Sequence, residues 1–142
     1  MGVVSVDARL TDSSHRLGIL AGHTLLLSRN ALFPWFILVP DTDETEFHHL
    51  PLAQQHELLD LVNTIARFIE SVYAVDKINI ATIGNVVPQL HIHIVGRRRD
   101  DAAWPGVVWA CEASQSWTSE ALAELRQRLV DEPGMAIQFT DE

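Results

Sequence analysis

A single cysteine, Cys111, stands in 142 residues. No intramolecular disulfide can form, and a lone thiol serving as a small apolar filler suits a reducing compartment, so a cytoplasmic protein is expected. Basic residues are scarce, with ten Lys and Arg against nineteen Asp and Glu and a net charge of −9. Nucleic-acid backbones are gripped by basic patches, so a general nucleic-acid surface is not expected. A single phosphate in a local dipolar pocket remains compatible with that charge. No apolar run approaches the length of a membrane span. Met1–Leu10 lacks the basic start and long apolar stretch of a secretory signal. Internal repeats and low-complexity linkers are also missing.

What remains is the composition of an ordinary globular protein, 47% apolar and 20% charged. The length suits one domain with a real core and hardly two, so a single unit over 1–142 is expected. Ser5–His15 reads as a short first helix. Leu17–Leu20 and Thr24–Ser28 read as short strands joined at Ala21-Gly22-His23, with His23 a solvated turn residue. Trp35–Val39 is a continuous apolar run closed by Pro40, as expected of a central strand. An acidic loop, Asp41–Glu46, leads to Phe47-His48-His49. Pro51–Tyr73 is a long helix whose apolar residues, Leu52 through Val72, recur at helical spacing and read as core.

Lys77–Thr82 and Leu90–Val95 are strands joined by a short turn, hence antiparallel. Gly96–Asp101 carries Arg97, Arg98 and Arg99, either a solvated loop or, at Arg97, a guanidinium that faces a phosphate. The apolar, aromatic segment 102–109 suits a lid, a core flap or a dimer contact. Thr118–Val130 is a second helix with Thr118 as N-cap, and Met135–Phe139 adds an edge strand. Short strands around one long helix and one C-terminal helix make an α+β domain, with helices on one side of an antiparallel sheet of about five strands.

The stretch Gln89-Leu90-His91-Ile92-His93-Ile94-Val95 alternates polar and apolar, the period of a strand. Gln89, His91 and His93 then share one face, with the two imidazoles roughly 7 Å apart along the chain, while Leu90, Ile92 and Ile94 face the core. Such a pair can act in nucleophilic catalysis, one imidazole attacking phosphorus while a neighbour manages the leaving-group proton. It can also chelate a metal, provided a third ligand such as His48 joins it.

This segment, entered through Gly84-Asn85-Val86-Val87, resembles the histidine triad (HIT) signature, His-φ-His-φ-His-φ-φ with φ apolar, here with Gln89 in the first position. The likeness runs over about residues 15–100, leaving about 101–142 as a C-terminal extension. It implies a HIT-like fold, commonly a homodimer, and a nucleotide hydrolase or nucleotidyl transferase acting on a nucleoside phosphoramidate or dinucleoside polyphosphate. No cofactor is implied. By the resemblance His91 is the nucleophile, and His93 contacts the phosphate and the leaving-group atom. The backbone carbonyl of Gln89 can hold one ring nitrogen of His91 and leave the other free. Asn85 can donate to a phosphate oxygen. Ser28, or Asn30 in its place, stands where relatives hold the ribose hydroxyls. Pro34-Trp35-Phe36-Ile37-Leu38-Val39-Pro40 is similar to a second landmark, with Phe36 where relatives carry a histidine and beside Gln89. A nucleotide-binding protein with little turnover and a His-x-His metal protein remain the alternatives.

Overall fold

The computed structural model describes residues 4–139, so the extreme ends of the expected 1–142 unit lie outside the described residues. Six strands form one antiparallel sheet: β1 (Ser14–Leu20), β2 (His23–Ser28), β3 (Trp35–Val39), β4 (Lys77–Ala81), β5 (Ile92–Arg97) and β6 (Ile137–Phe139). Their order across the sheet is β4-β5-β3-β2-β1-β6, so β3 is internal and β4 and β6 are the edges. The helices are α1 (Ala8–Thr11), α2 (Leu52–Val72) and α3 (Ser119–Asp131). The expected first helix is thus reduced to one turn. At the other end, the Thr118 hydroxyl caps α3 by accepting the Ala121 amide at 3.0 Å.

β1 and β2 are joined by the two residues Ala21 and Gly22, both at positive φ (51° and 86°). That is the handedness a tight hairpin needs to match the twist of its strands. The turn therefore ends one residue earlier than the sequence suggests, and His23 pairs with Leu20 inside the ladder. Its ring is buried rather than solvated. Nδ1 accepts the Asp41 amide at 2.8 Å, which leaves the proton on Nε2 to meet Glu57 at 2.8 Å.

Alternation in the strands divides the molecule into two layers. Leu25, Leu27, Phe36, Leu38, Ile92 and Ile94 face α2 and α3, where Leu58, Val62, Ile65, Phe68, Ile69, Leu125 and Leu129 complete the main core. Gly96 lies on this face, and a Cβ there would come within 2.8 Å of Ile69, Pro34 and Val75, so the strand needs glycine to approach the helix. Only part of the apolar stripe of α2 is used, since Leu52 and Leu59 are exposed. The opposite face of the sheet carries Leu26, Ile37 and Val39 under Leu10 of α1. That face holds both histidines. Among the described residues no helix is long and apolar enough to cross a membrane.

Candidate active site

His91 is the last residue before β5, and His93 is its second, paired with Ile37 of β3 and Ala81 of β4. Both are buried, 6% and 5% exposed. Their rings are 4.9 Å apart between centroids and inclined at 71°. Nδ1 of His91 lies 2.7 Å from the main-chain oxygen of Gln89. A carbonyl only accepts, so Nδ1 carries the proton and Nε2 keeps its lone pair. His93 has the opposite arrangement. Its Nδ1 lies 2.9 Å from the indole nitrogen of Trp35, which only donates, so the proton of the neutral ring is on Nε2. Burial, reinforced by the neighbouring His91, pushes the His93 pKa down to about 4. One imidazole therefore offers a lone pair and its neighbour an N–H.

Trp109 closes the other side of His93, with ring centroids 4.8 Å apart at 87°, and meets Trp35 edge to face at 5.9 Å. The cavity in front of the two histidines has a volume of about 300 Å³. Its walls are largely apolar, from Leu10, Ile37, Ile83, Val86 and Val87, with Ser13, Ser28 and Asn85 as polar points. No lysine, arginine or carboxylate is among the described residues that line it.

Chemically, Nε2 of His91 can act as a nucleophile or base and Nε2–H of His93 as a hydrogen-bond donor, in front of a largely apolar cavity. The match extends along the chain. A model of the HIT domain fits residues 14–100.

The chain belongs to the histidine triad (HIT) family.

Solved structures agree. A histidine triad protein of Bradyrhizobium japonicum is 32% identical, with a TM-score of 0.86 over 92% of this chain and 98% of that one. A HIT protein of Sinorhizobium meliloti is also 32% identical, with a TM-score of 0.85 over 90% and 96%. One of Marinobacter aquaeolei is 35% identical, with a TM-score of 0.83 over 90% and 94%. Comparison with curated proteins gives no match. HIT proteins are in general nucleotide-binding hydrolases or transferases.

Of the residues singled out from the sequence, His91, His93, Asn85 and Ser28 line the cavity of this HIT protein. Asn30 does not. Its carboxamide oxygen holds the amides of Leu32 and Gln115, and its nitrogen donates to Ala113, so it ties down the strap before α3. Gln89 shares no face with the histidines. Its side chain accepts from the Asp7 amide at 2.7 Å and donates to the Ser5 carbonyl at 2.9 Å, beside a different pocket. Alternation fails there because β5 begins only at Ile92. Gln89 serves the site through its backbone oxygen.

Phe36 is likewise not a neighbour of Gln89. It pairs with Ile94 on the core face and packs against Phe68, with centroids 5.9 Å apart. The site face of β3 presents Trp35 and Ile37 instead.

Arg97 is only 2% exposed and does not reach the cavity. Its guanidinium meets Asp101 at 2.8 and 3.0 Å and Asn79 at 2.9 Å, and it lies near the rings of Phe33 and Trp104. Burial works to raise the Asp101 pKa, but hydrogen bonds from Arg97 and from the amides of Arg98 and Ala103 hold it at about 2. This clasp shapes the turn from which segment 102–109 runs back to the site. His48, the third ligand required by a metal reading, is exposed, meets the His49 ring at a tilt of 56° and lies outside the cavity. Among the described residues no three His, Cys, Asp or Glu side chains gather as a metal set.

Trp35 and Trp109 are the site residues that sequence reasoning missed. Trp35 sat in a run that read as a central strand, and Trp109 in a segment that suited a lid, a core flap or a dimer contact. The only available signal was parity: once Ile37 is opposite His93, Trp35 must face the same side.

Proposed function

We propose that this HIT protein is a nucleotide hydrolase or transferase that works at an α-phosphorus through a covalent nucleotidyl-His91 intermediate. The observation that carries this reading is the opposed pair of tautomers, a lone pair on Nε2 of His91 beside an N–H on Nε2 of His93. In the first step Nε2 of His91 forms a bond to phosphorus. The bond to the leaving group breaks, and the leaving group departs with that electron pair and takes a proton from water. His93 donates to a phosphate oxygen and to the departing atom, and Asn85 donates to another oxygen. Water then attacks phosphorus and releases a proton to solvent. The bond to His91 breaks and its electron pair returns to Nε2. Ser28 faces the sugar.

That no lysine or arginine is among the described residues lining the cavity favours a singly charged α-phosphate, as in a nucleoside phosphoramidate, over a dinucleoside polyphosphate. Each further phosphate would bring charge without a partner. The variant His91→Ala tests the assignment. Turnover of a nucleoside phosphoramidate should vanish while nucleoside monophosphate binding stays within about tenfold, because a nucleophile contributes chemistry more than ground-state affinity. Near-wild-type turnover would remove His91 from this role. A second reading, a nucleotide-binding protein with little turnover, draws support from Trp35, which cannot relay a proton. Single-turnover rates separate the two.

A second copy of the chain pairing along β4 is part of the proposal. β4 is an outer strand, Ile80 on it is 53% exposed, and beside it Leu59, Val62, Phe47 and Ile92 line an apolar cavity. In segment 102–109, from which the sequence argued for a dimer, Trp104 lies beside Arg97 and Trp109 on His93, while Val107 and Trp109 also keep apolar surface exposed. Light scattering should give about twice 15.9 kDa, and a value at 15.9 kDa would remove the dimer. With its lone cysteine, the protein fits a cytoplasmic setting.

A further inference from the structure

We propose that Trp35 is a positioning residue that locks His93 in the tautomer with its hydrogen on Nε2, making His93 a permanent hydrogen-bond donor to the substrate and excluding it as a general acid. The role in catalysis rests on the reading of the site given above, whereas the lock itself is a property of the free protein.

The argument begins with the chemistry of the indole. Its N–H can donate and has nothing to accept with. At 2.9 Å it occupies the lone pair of Nδ1 on His93. Adding a proton to Nδ1 would set two N–H groups against each other on a ring that is 5% exposed. The surroundings give the cation nothing in return. On its own strand the titratable neighbour is His91, whose cation would repel. From β3 come Trp35 and Ile37, from β2 Ser28, and from the loop after β4 Ile83, Asn85, Val86 and Val87. Trp109 covers the ring from the C-terminal segment. None of these carries negative charge, and the depressed pKa of His93 agrees. Trp109 meets His93 as an aromatic wall, and its indole nitrogen makes no bond to the histidine ring among those described.

The consequence for the reaction is specific. His93 presents Nε2–H to oxygens whose charge grows as the bond to the leaving group breaks. The proton that the leaving group acquires comes from elsewhere. Above about pH 4 the acidic limb of the rate profile therefore does not report His93 while Trp35 is in place.

The test uses the full-length protein. Long-range proton–nitrogen NMR of the histidine rings at neutral pH should show His93 with Nδ1 unprotonated and Nε2 protonated. In Trp35→Phe, which keeps an aromatic ring and removes the donor, His93 should become a mixture of tautomers with a pKa raised by at least about one unit. Its kcat on a nucleoside phosphoramidate should fall by on the order of tenfold to a hundredfold, as for other residues that orient a reacting group by a hydrogen bond, with KM changed little. Trp109→Phe removes comparable volume and keeps the donor, so it controls for loss of packing, and His93 should retain its tautomer there. If wild-type His93 carries its proton on Nδ1, or if Trp35→Phe leaves its tautomer and pKa as they were, the lock does not exist. If Trp35→Phe frees the tautomer with kcat unchanged, Trp35 has no positioning role. Nucleotidyl labelling of His91 is scored separately, so its absence overturns the enzymatic reading while the NMR result judges the lock.

Discussion

Lowering the pH should weaken this fold through His93 in a way that can be isolated. In the folded protein the ring stays neutral down to a pKa of about 4, against 6.5 when free. The folded value is the depressed one, so as the pH falls below about 6.5 the unfolded chain takes up a proton that the folded chain refuses. Stability must therefore drop with falling pH between about 6.5 and 4, and level off below 4, where both states are protonated. Each pKa unit is worth about 1.4 kcal/mol, so the His93 contribution to the loss approaches about 3 kcal/mol across the window. Other groups titrate in the same range, so the quantity to measure is a difference. Urea unfolding at pH 7.0, 5.5 and 4.0, for wild type and for His93→Gln, supplies it. Glutamine can still accept from Trp35 through its carbonyl but does not titrate. The stability gap between the proteins should move by about 2–3 kcal/mol in favour of the variant from pH 7.0 to pH 4.0. Parallel pH profiles would show that His93 protonates as readily in the fold as outside it, and the account of a buried ring held by an indole donor would be wrong.

Three further outcomes follow from particular contacts. Gln89→Ala should lower stability by about 1 kcal/mol, by releasing Ser5 and Asp7, while turnover stays within about tenfold, since the backbone oxygen on His91 survives. Chemical denaturation beside single-turnover kinetics checks both halves. Arg97→Met should cost about 3–5 kcal/mol in a thermal melt, because it leaves the buried Asp101 carboxylate without its cation and with only the amides of Arg98, Ala103 and Trp104 as partners. Ala21→Asn should raise stability by up to about 1 kcal/mol, since asparagine tolerates the left-handed backbone that alanine holds at φ 51°.

Much of the fold was legible because periodicity survives wherever elements are long. α2 and the strands around it follow directly from their apolar spacing, and Thr118 announces its helix by chemistry that acts within three residues. The histidines were legible for the same reason, as was the Gln89 carbonyl that holds His91. What failed lay where the period stops or carries no contrast. Gln89 precedes the strand, so alternation said nothing true about its side chain. Trp35 to Val39 is apolar on both faces, and only the pairing of Ile37 with His93 reveals that Phe36 faces the core and Trp35 the site. Arg97 does continue beyond His93 and Val95 in β5, but its partners Asp101, Asn79, Phe33 and Trp104 arrive from three separate segments. His23 needed Glu57 and the Asp41 amide, brought together by tertiary folding alone.

The central claim is a covalent bond between phosphorus and His91, and the most direct measurement is mass spectrometry of the intact protein quenched in denaturant during turnover of a nucleoside phosphoramidate. Wild type should gain the mass of one nucleotidyl group, and peptide mapping should put it on His91; His91→Ala should gain nothing. Turnover without any adduct, or an adduct on His93 or another residue, would contradict the account.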